Sequence, residues 1–189
     1  MDKLAYWLLQ DEGYTIMIGL REGTMARKVY FAFDYEDVKD FRANAVRNSW
    51  VIQKGEAAGF WDAADWETVK KQDDEAIKQW IDKQLDGTSV TAVLIGTATS
   101  ERKWVTYEIK KSHEDRKGLL GVYIHNIKDR EGHTVSKGRN PFDNLHFLEQ
   151  SGKKVPLSTI YPSYDWVSAN GISNFWSWVE QAARKAGRF

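Results

Sequence analysis

Val90-Thr91-Ala92-Val93-Leu94-Ile95-Gly96 runs through Thr97-Ala98-Thr99-Ser100-Glu101-Arg102-Lys103 into Trp104-Val105-Thr106-Tyr107-Glu108-Ile109-Lys110-Lys111-Ser112. The first run is apolar and rich in β-branched residues, as a strand covered on both faces must be. Ser100 reads as the N-cap of the helix that follows. In that helix Trp104, Val105, Glu108, Ile109 and Ser112 share one face by i, i+3 and i+4 spacing. The face is otherwise mostly apolar, so Glu108 points into the protein. A carboxylate held there loses hydration and needs a partner or a task. The helix starts at the C-terminal edge of a parallel strand, where open α/β sheets bind ligands.

Outward from this unit, strand and helix alternate. Val29 to Phe33 reads as a first strand. Val38, Phe41, Ala45, Val46 and Ser49 recur at helical spacing, which predicts a helix from about Glu36 to Trp50. Gly55 to Trp66 reads as a loop in which Asp65 caps a short turn. Asp73 to Leu85 reads as a second helix, stopped by Asp86-Gly87. Gly118 to His125 is a further buried strand, and Asn126 to Leu148 a long polar loop. Lys154 to Ile160 reads as the last strand. Ile172 to Ala186 is a closing helix that docks through Phe175, Trp176 and Val179. Strands separated by helices of this length predict an α/β fold, a central parallel sheet covered on both faces.

Residues 1–24 stand apart, with the short apolar run Leu4 to Leu9 and no clear period after it. Asp2 and Gln10 bound that run closely and no small-residue cleavage site follows, so it is not read as a signal peptide; a cytoplasmic protein is expected. Arg21-Glu22-Gly23 can be encoded by a purine-rich run like a bacterial ribosome-binding site, just before Met25. Met25 is therefore expected to be the true start, with residues 1–24 an N-terminal extension upstream of it.

Lys plus Arg and Asp plus Glu each number 27, so the formal net charge is zero. A general nucleic-acid or anionic-membrane binder would carry a basic excess. There is no cysteine, which excludes disulfides and thiolate catalysis. No apolar run approaches the ~20 residues of a membrane span. The nine tryptophans are read mainly as an aromatic core. GxGxxG after the first strand, GxxxxGK[ST], GxSxG and HExxH are all missing. The four histidines lack paired ligand spacing, so no metal is expected, and His113 and His133 read as solvated. His125 and Asn126 sit where a strand reaches its C-terminal edge, with functional and structural roles equally open.

Four segments carry a resemblance to the TIR superfamily, in particular to the TIR-like branch of the Thoeris anti-phage defence system. They are Val29 to Val38, Phe41 to Trp50, Ser89 to Ser112 with its W-V-x-x-E pattern of Trp104, Val105 and Glu108, and Ser136-Lys137-Gly138 followed by Asn140-Pro141-Phe142-Asp143. With Tyr164 to Val167 and the Trp-rich tail, the resemblance covers Met25 to about Trp178. It implies a flavodoxin-like three-layer sandwich and a single TIR-like domain over 25–189. It further implies cleavage of NAD at the nicotinamide–ribose bond, an NAD+ nucleosidase or ADP-ribosyl cyclase activity. The product would be a cyclic ADP-ribose-type signal that activates a separate effector protein. NAD is then substrate and no cofactor is implied. A phage-derived trigger and a homo-oligomer are further partners expected, with no nucleic acid and no membrane. Where many TIR domains carry a small hydroxyl residue, this chain has Ala32.

Within that resemblance Glu108 matches the catalytic glutamate, and Phe33 the aromatic that lines the nicotinamide-ribose pocket. Asp34, Arg42, Ser100, Trp104 and Asn126 complete the expected substrate-binding set. Arg42 or Arg102 suits the pyrophosphate, because guanidinium matches phosphate geometry, and Trp104 and Phe33 suit the flat rings. The chemistry fits one acid. Nicotinamide leaves as an already cationic group, and a single carboxylate can stabilise the oxocarbenium-like ribosyl centre. Structural readings stand beside these: an ion pair for Glu108, core packing for Trp104, and helix capping for Asp34 and Asp37. The alternative function is a non-catalytic TIR-like interaction module. A third option, a flavodoxin-like or response-regulator-like receiver, is argued against by Ile95-Gly96, where a phosphorylatable Asp would have to end the middle strand.

Overall fold

The computed structural model describes residues 4–11, 14–21, 27–35, 37, 41–53, 56–58, 68–69 and 71–188, with the backbone alone for 4–21. Strands β1 (Leu4–Asp11) and β2 (Tyr14–Arg21) pair antiparallel with each other. They join none of the other described strands. The chain continues as β3 (Lys28–Ala32), α1 (Arg42–Ile52), β4 (Glu56–Ala58), α2 (Asp74–Leu85), β5 (Val90–Ile95) and α3 (Lys103–Glu114). After these come β6 (Gly118–Tyr123), β7 (His146–Leu148), β8 (Lys154–Pro156), β9 (Ser163–Asp165) and α4 (Gly171–Lys185).

Five strands form one parallel sheet in the order β4-β3-β5-β6-β9. This is the flavodoxin-like order, with its switch point between β3 and β5, where a crevice opens at the carboxyl ends. Alternation along the strands divides the core. Val29, Phe31, Ala92 and Leu94 pack under α1 and α4 with Val46, Trp50, Phe175 and Val179. Tyr30, Ala32, Val93 and Ile95 pack under α2 and α3 with Ile77, Ile81, Val105 and Ile109. Each fully buried large side chain stabilises the fold by about 1.5–3 kcal/mol. Trp50 meets Phe175 edge-on at 5.6 Å and stacks on Trp176 at 5.0 Å, which ties α1 to α4. Gly118 lets α4 cross β6, because a Cβ there would lie 2.7 Å from the Ala182 backbone. Asp73 caps α2 through the Ala76 N–H at 2.9 Å, and Gly87 at φ 69° turns the chain out of it.

Several sequence expectations change. The expected helix from about Glu36 to Trp50 is interrupted at Phe41, which takes a left-handed φ of 63°; α1 runs Arg42–Ile52, and Tyr35 and Asp37 before the break are also helical. That break resets the helical phase: Arg42, Ala43, Val46 and Trp50 are buried, while Phe41 and Ala45 are exposed. Ser100 is not the N-cap of α3. It lies in a 3₁₀ turn, Thr99–Glu101, and α3 starts at Lys103 with no side-chain cap. The expected last strand is β8 in a separate antiparallel hairpin with β7, and β9 completes the sheet instead. Edge strand β4 lies in the stretch read as a loop, and the polar loop ends in a 3₁₀ turn, Pro141–Asn144, and β7. The expectations on Met25, Glu36, Val38, Asp65 and Trp66 fall outside the described residues.

Candidate active site

The face of α3 predicted from spacing is the face that packs: Val105, Glu108, Ile109 and Ser112 are buried. Glu108 is 5% exposed. Its Oε1 accepts a hydrogen bond from Tyr30 Oη at 2.5 Å, across to the middle of β3. Its Oε2 is buried with no hydrogen-bond partner among the described residues. One turn further along, Ser112 and Thr91 hydroxyls satisfy each other at 2.8 Å, so the open acceptor is confined to Glu108 on this part of the face. Burial raises the Glu108 carboxyl from 4.5 to about 8, with the Tyr30 hydrogen bond pulling the other way. Tyr30 is fully buried, and burial, then the Glu108 charge, hold its phenol well above its usual range. It therefore remains a proton donor to Glu108.

The switch point is built from the loops after β3 and β5. Arg102 Nε bonds Asp34 Oδ2 at 2.8 Å, joining the two loops. Thr99 Oγ1 receives the Gly96 N–H at 2.8 Å and donates to Asp37 Oδ2 at 3.4 Å. The segment Ser136 to Gly138 closes over the end of β5. Thr97 Oγ1 donates to the Ser136 carbonyl at 2.9 Å, and a Cβ at Gly138 would collide with the Gly96 carbonyl. Lys137 lies 4.2 Å above the Tyr123 ring. Trp104, half-buried one turn before Glu108, presents its ring edge-on to Tyr107 at 6.2 Å.

Glu108 and Trp104 thus share the inner face of α3, with Asp34, Arg102 and half-buried Ser100 at the crevice beside it. Phe33 packs against the α1 and α4 side of the sheet, the opposite layer from Glu108. Arg42 is 1% exposed and spends its guanidinium on the chain after β6: Ile127 O at 3.0 Å, His133 O at 3.1 Å and Asp129 Oδ2 at 3.4 Å. It staples a loop, unlike Arg102, whose side chain is 48% exposed. Asn126 bonds Asp165 Oδ2 at 3.0 Å, beside His125 at 3.6 Å, at the ends of β6 and β9 away from the switch point. His113 is half-buried against Tyr161 Oη at 2.7 Å, correcting its reading as solvated. Sequence reasoning missed Tyr30. Its parity with Ala32 was the available signal: both face α3, so the hydroxyl absent at Ala32 is present two residues earlier.

Among the described residues no group of three or more His, Asp or Glu could hold a metal ion, and no helix is long and apolar enough to cross a membrane. A cleft of about 670 Å³ opens at the opposite edge of the sheet, lined by His113, Arg116, Lys117, Tyr161 and Lys185 among others. No carboxylate lines it, so it offers nothing to stabilise a cationic ribosyl centre.

Residues 30–129 match the profile of a family described as Thoeris protein ThsB, TIR-like domain. The chain is 41% identical over 191 residues to "Putative cyclic ADP-D-ribose synthase ThsB1" of Bacillus cereus (strain MSX-D12), across 82% of this chain and 100% of that relative. The matched span contains Tyr30, the crevice loops after β3 and β5, and Glu108.

Proposed function

This chain belongs to the Thoeris ThsB TIR-like family, and from that premise we propose that it converts NAD into a cyclic ADP-ribose-type signal with Glu108 as its catalytic carboxylate. The observation that carries the assignment is a buried carboxylate with one oxygen fixed by Tyr30 and the other unpartnered, next to the switch point.

The chemistry asks little more of the protein. As the N-glycosidic bond breaks, its electron pair leaves with nicotinamide, which departs neutral. The ribosyl carbon becomes oxocarbenium-like, and ionised Glu108 stabilises it and holds a ribose hydroxyl. An internal nucleophile of the same dinucleotide then closes the ring, which requires a site that excludes water. Glu108, raised to about 8, is mostly neutral in the free protein at pH 7. The cationic nicotinamide ring arriving within ~4–6 Å favours its ionised form, so substrate brings out the charge that acts on it. Arg102 is the better-placed partner for the pyrophosphate, since Arg42 is committed to protein acceptors. Trp104 offers a flat face to a ring, and Asp34 and Ser100 at the crevice are assigned to binding; for Phe33 and Asn126, which lie in the other layer and at the β6–β9 end, that assignment rests on the resemblance alone.

The domain is taken as residues 25–189, with the β1–β2 hairpin as an appendage. The protein works in the cytoplasm, where its signal reaches a separate effector, and a phage-derived trigger and self-association regulate it. Mass spectrometry of nucleotide extracts from phage-challenged cells tests the core of this reading. A new ADP-ribose-like mass is expected with the wild type and not with Glu108→Gln. Identical extracts, with NAD intact and infection confirmed, would refute it in favour of an interaction module.

A further inference from the structure

We infer that Tyr30 is a positioning residue for the reaction, fixing one oxygen of Glu108 so that the other is presented to the substrate ribose. The inference rests on Glu108 being the catalytic carboxylate. The terminal torsion of a glutamate is broad and roughly two-fold, so packing of its stem does not by itself orient its oxygens. Here the orientation comes from a single contact, Tyr30 Oη to Oε1 at 2.5 Å. The donor is itself immobile. Tyr30 is fully buried, and β3 is an internal strand, held by β4 on one side and β5 on the other, with Tyr30 in register with Ala58 and Thr91. Nothing else among the described residues bonds either oxygen.

The same bond acts on charge. A donor to the ionised form favours that form, so Tyr30 opposes the effect of burial and keeps Glu108 within reach of ionisation near neutral pH. A phenylalanine at position 30 would fill the same ring space and remove only the hydroxyl that bonds Glu108. Burial and the Tyr30 hydrogen bond are the influences on the Glu108 carboxyl, and Asp82 of α2 acts on Tyr30 and not on Glu108. Asp82 of α2 accepts from Tyr107 of α3 at 2.9 Å, Tyr123 ends β6, and β5 carries no titratable residue.

The test is Tyr30→Phe beside Glu108→Gln in the full-length protein. With 13C-carboxyl-labelled glutamate, the Glu108 resonance is assigned by its loss in Glu108→Gln and followed from pH 5 to 10. The Tyr30→Phe titration is expected to move upward by about one unit, the amount one hydrogen bond to a charged group supplies. Signal production is expected to fall about tenfold, in kcat rather than KM, with partial recovery at higher pH. Superimposable titrations and unchanged turnover, with Glu108→Gln inactive, would overturn the inference and leave the catalytic assignment standing. An active Glu108→Gln would overturn the catalytic assignment itself. If Tyr30→Phe does not fold, 3-fluorotyrosine at position 30 keeps the shape and makes the donor more acidic. It should then lower the Glu108 titration; an unmoved titration overturns the inference.

Discussion

Replacing Glu108 with glutamine should exchange activity for stability, in a manner that depends on pH. In the unfolded chain the carboxyl ionises near 4.5; in the fold it ionises near 8. The folded value is the raised one, so between these limits only the unfolded state gains from losing the proton. The wild type therefore loses stability as pH rises from about 4.5 to about 8, and nothing further beyond. Linkage places that loss at about 1 kcal/mol at pH 5, about 3 at pH 7 and about 5 at pH 9. Glutamine does not ionise. It keeps an acceptor for Tyr30 Oη but brings amide N–H groups to the place where Oε2 has no partner, at a cost of about 1–3 kcal/mol. The variant should thus be slightly less stable than the wild type at pH 5 and more stable at pH 9. The difference between the two proteins should swing by about 4 kcal/mol, on the order of 10 °C in Tm for a chain of this size. Thermal melts of both proteins from pH 5 to 9 measure it, and because every other titrating group is shared, the difference curve isolates position 108. A flat difference curve would refute the buried, high-pKa carboxyl on which the mechanism depends.

Further outcomes follow from the same geometry. Turnover at limiting NAD should rise with pH to a plateau above about 8, since kcat/KM reports the free enzyme, whereas the limb in kcat should lie lower because bound nicotinamide favours the carboxylate; a pH–rate profile from 6 to 9 checks both. The two arginines should separate by phenotype. Arg42→Ala should destabilise the fold by about 2–4 kcal/mol, from a vacated buried site and two carbonyls left unpaired. Arg102→Ala should change the melting transition little, because a half-exposed ion pair contributes at most about 1 kcal/mol, and should raise KM for NAD. Gly138→Ala should force the Ser136 to Gly138 segment off the Gly96 carbonyl, costing about 1–3 kcal/mol and breaking the bond from Thr97 to the Ser136 carbonyl. Loss of signal production, with faster hydrogen exchange around residues 96–99, is the expected readout.

The parts of this fold that the sequence revealed are those in which one physical rule acts alone. The run Val90 to Ile95 could only be a covered strand, and its six residues are all buried. Helical spacing placed Glu108 inward because a single amphipathic phase runs through α3 without interruption. Helix α1 was misphased where two rules compete. The period from Val38 to Ser49 is broken by the left-handed Phe41, which no spacing argument registers, and the residue after it is an arginine that is buried nonetheless. Arg42 tolerates that burial because backbone carbonyls of a loop eighty-five or more positions away receive its protons. Such acceptors leave no trace in the local pattern. The three-residue strands β4 and β9 were invisible for a related reason: β-structure of that length is defined by the neighbour it pairs with.

The same distinction explains why the catalytic candidate was legible and its partner was not. An acid on an apolar helix face violates a local rule, and a violation is conspicuous. A tyrosine in a buried strand obeys every local rule, because the ring satisfies the core and the hydroxyl adds nothing to the pattern. Only the fold reveals that β3 carries that hydroxyl under the second turn of α3, against Glu108 Oε1. Glu108 marks a candidate site because it is misplaced as a core residue. Tyr30 makes the misplacement tolerable, and it does so with one donor for two acceptor oxygens, so the bond that accommodates the acid leaves Oε2 buried without a partner among the described residues.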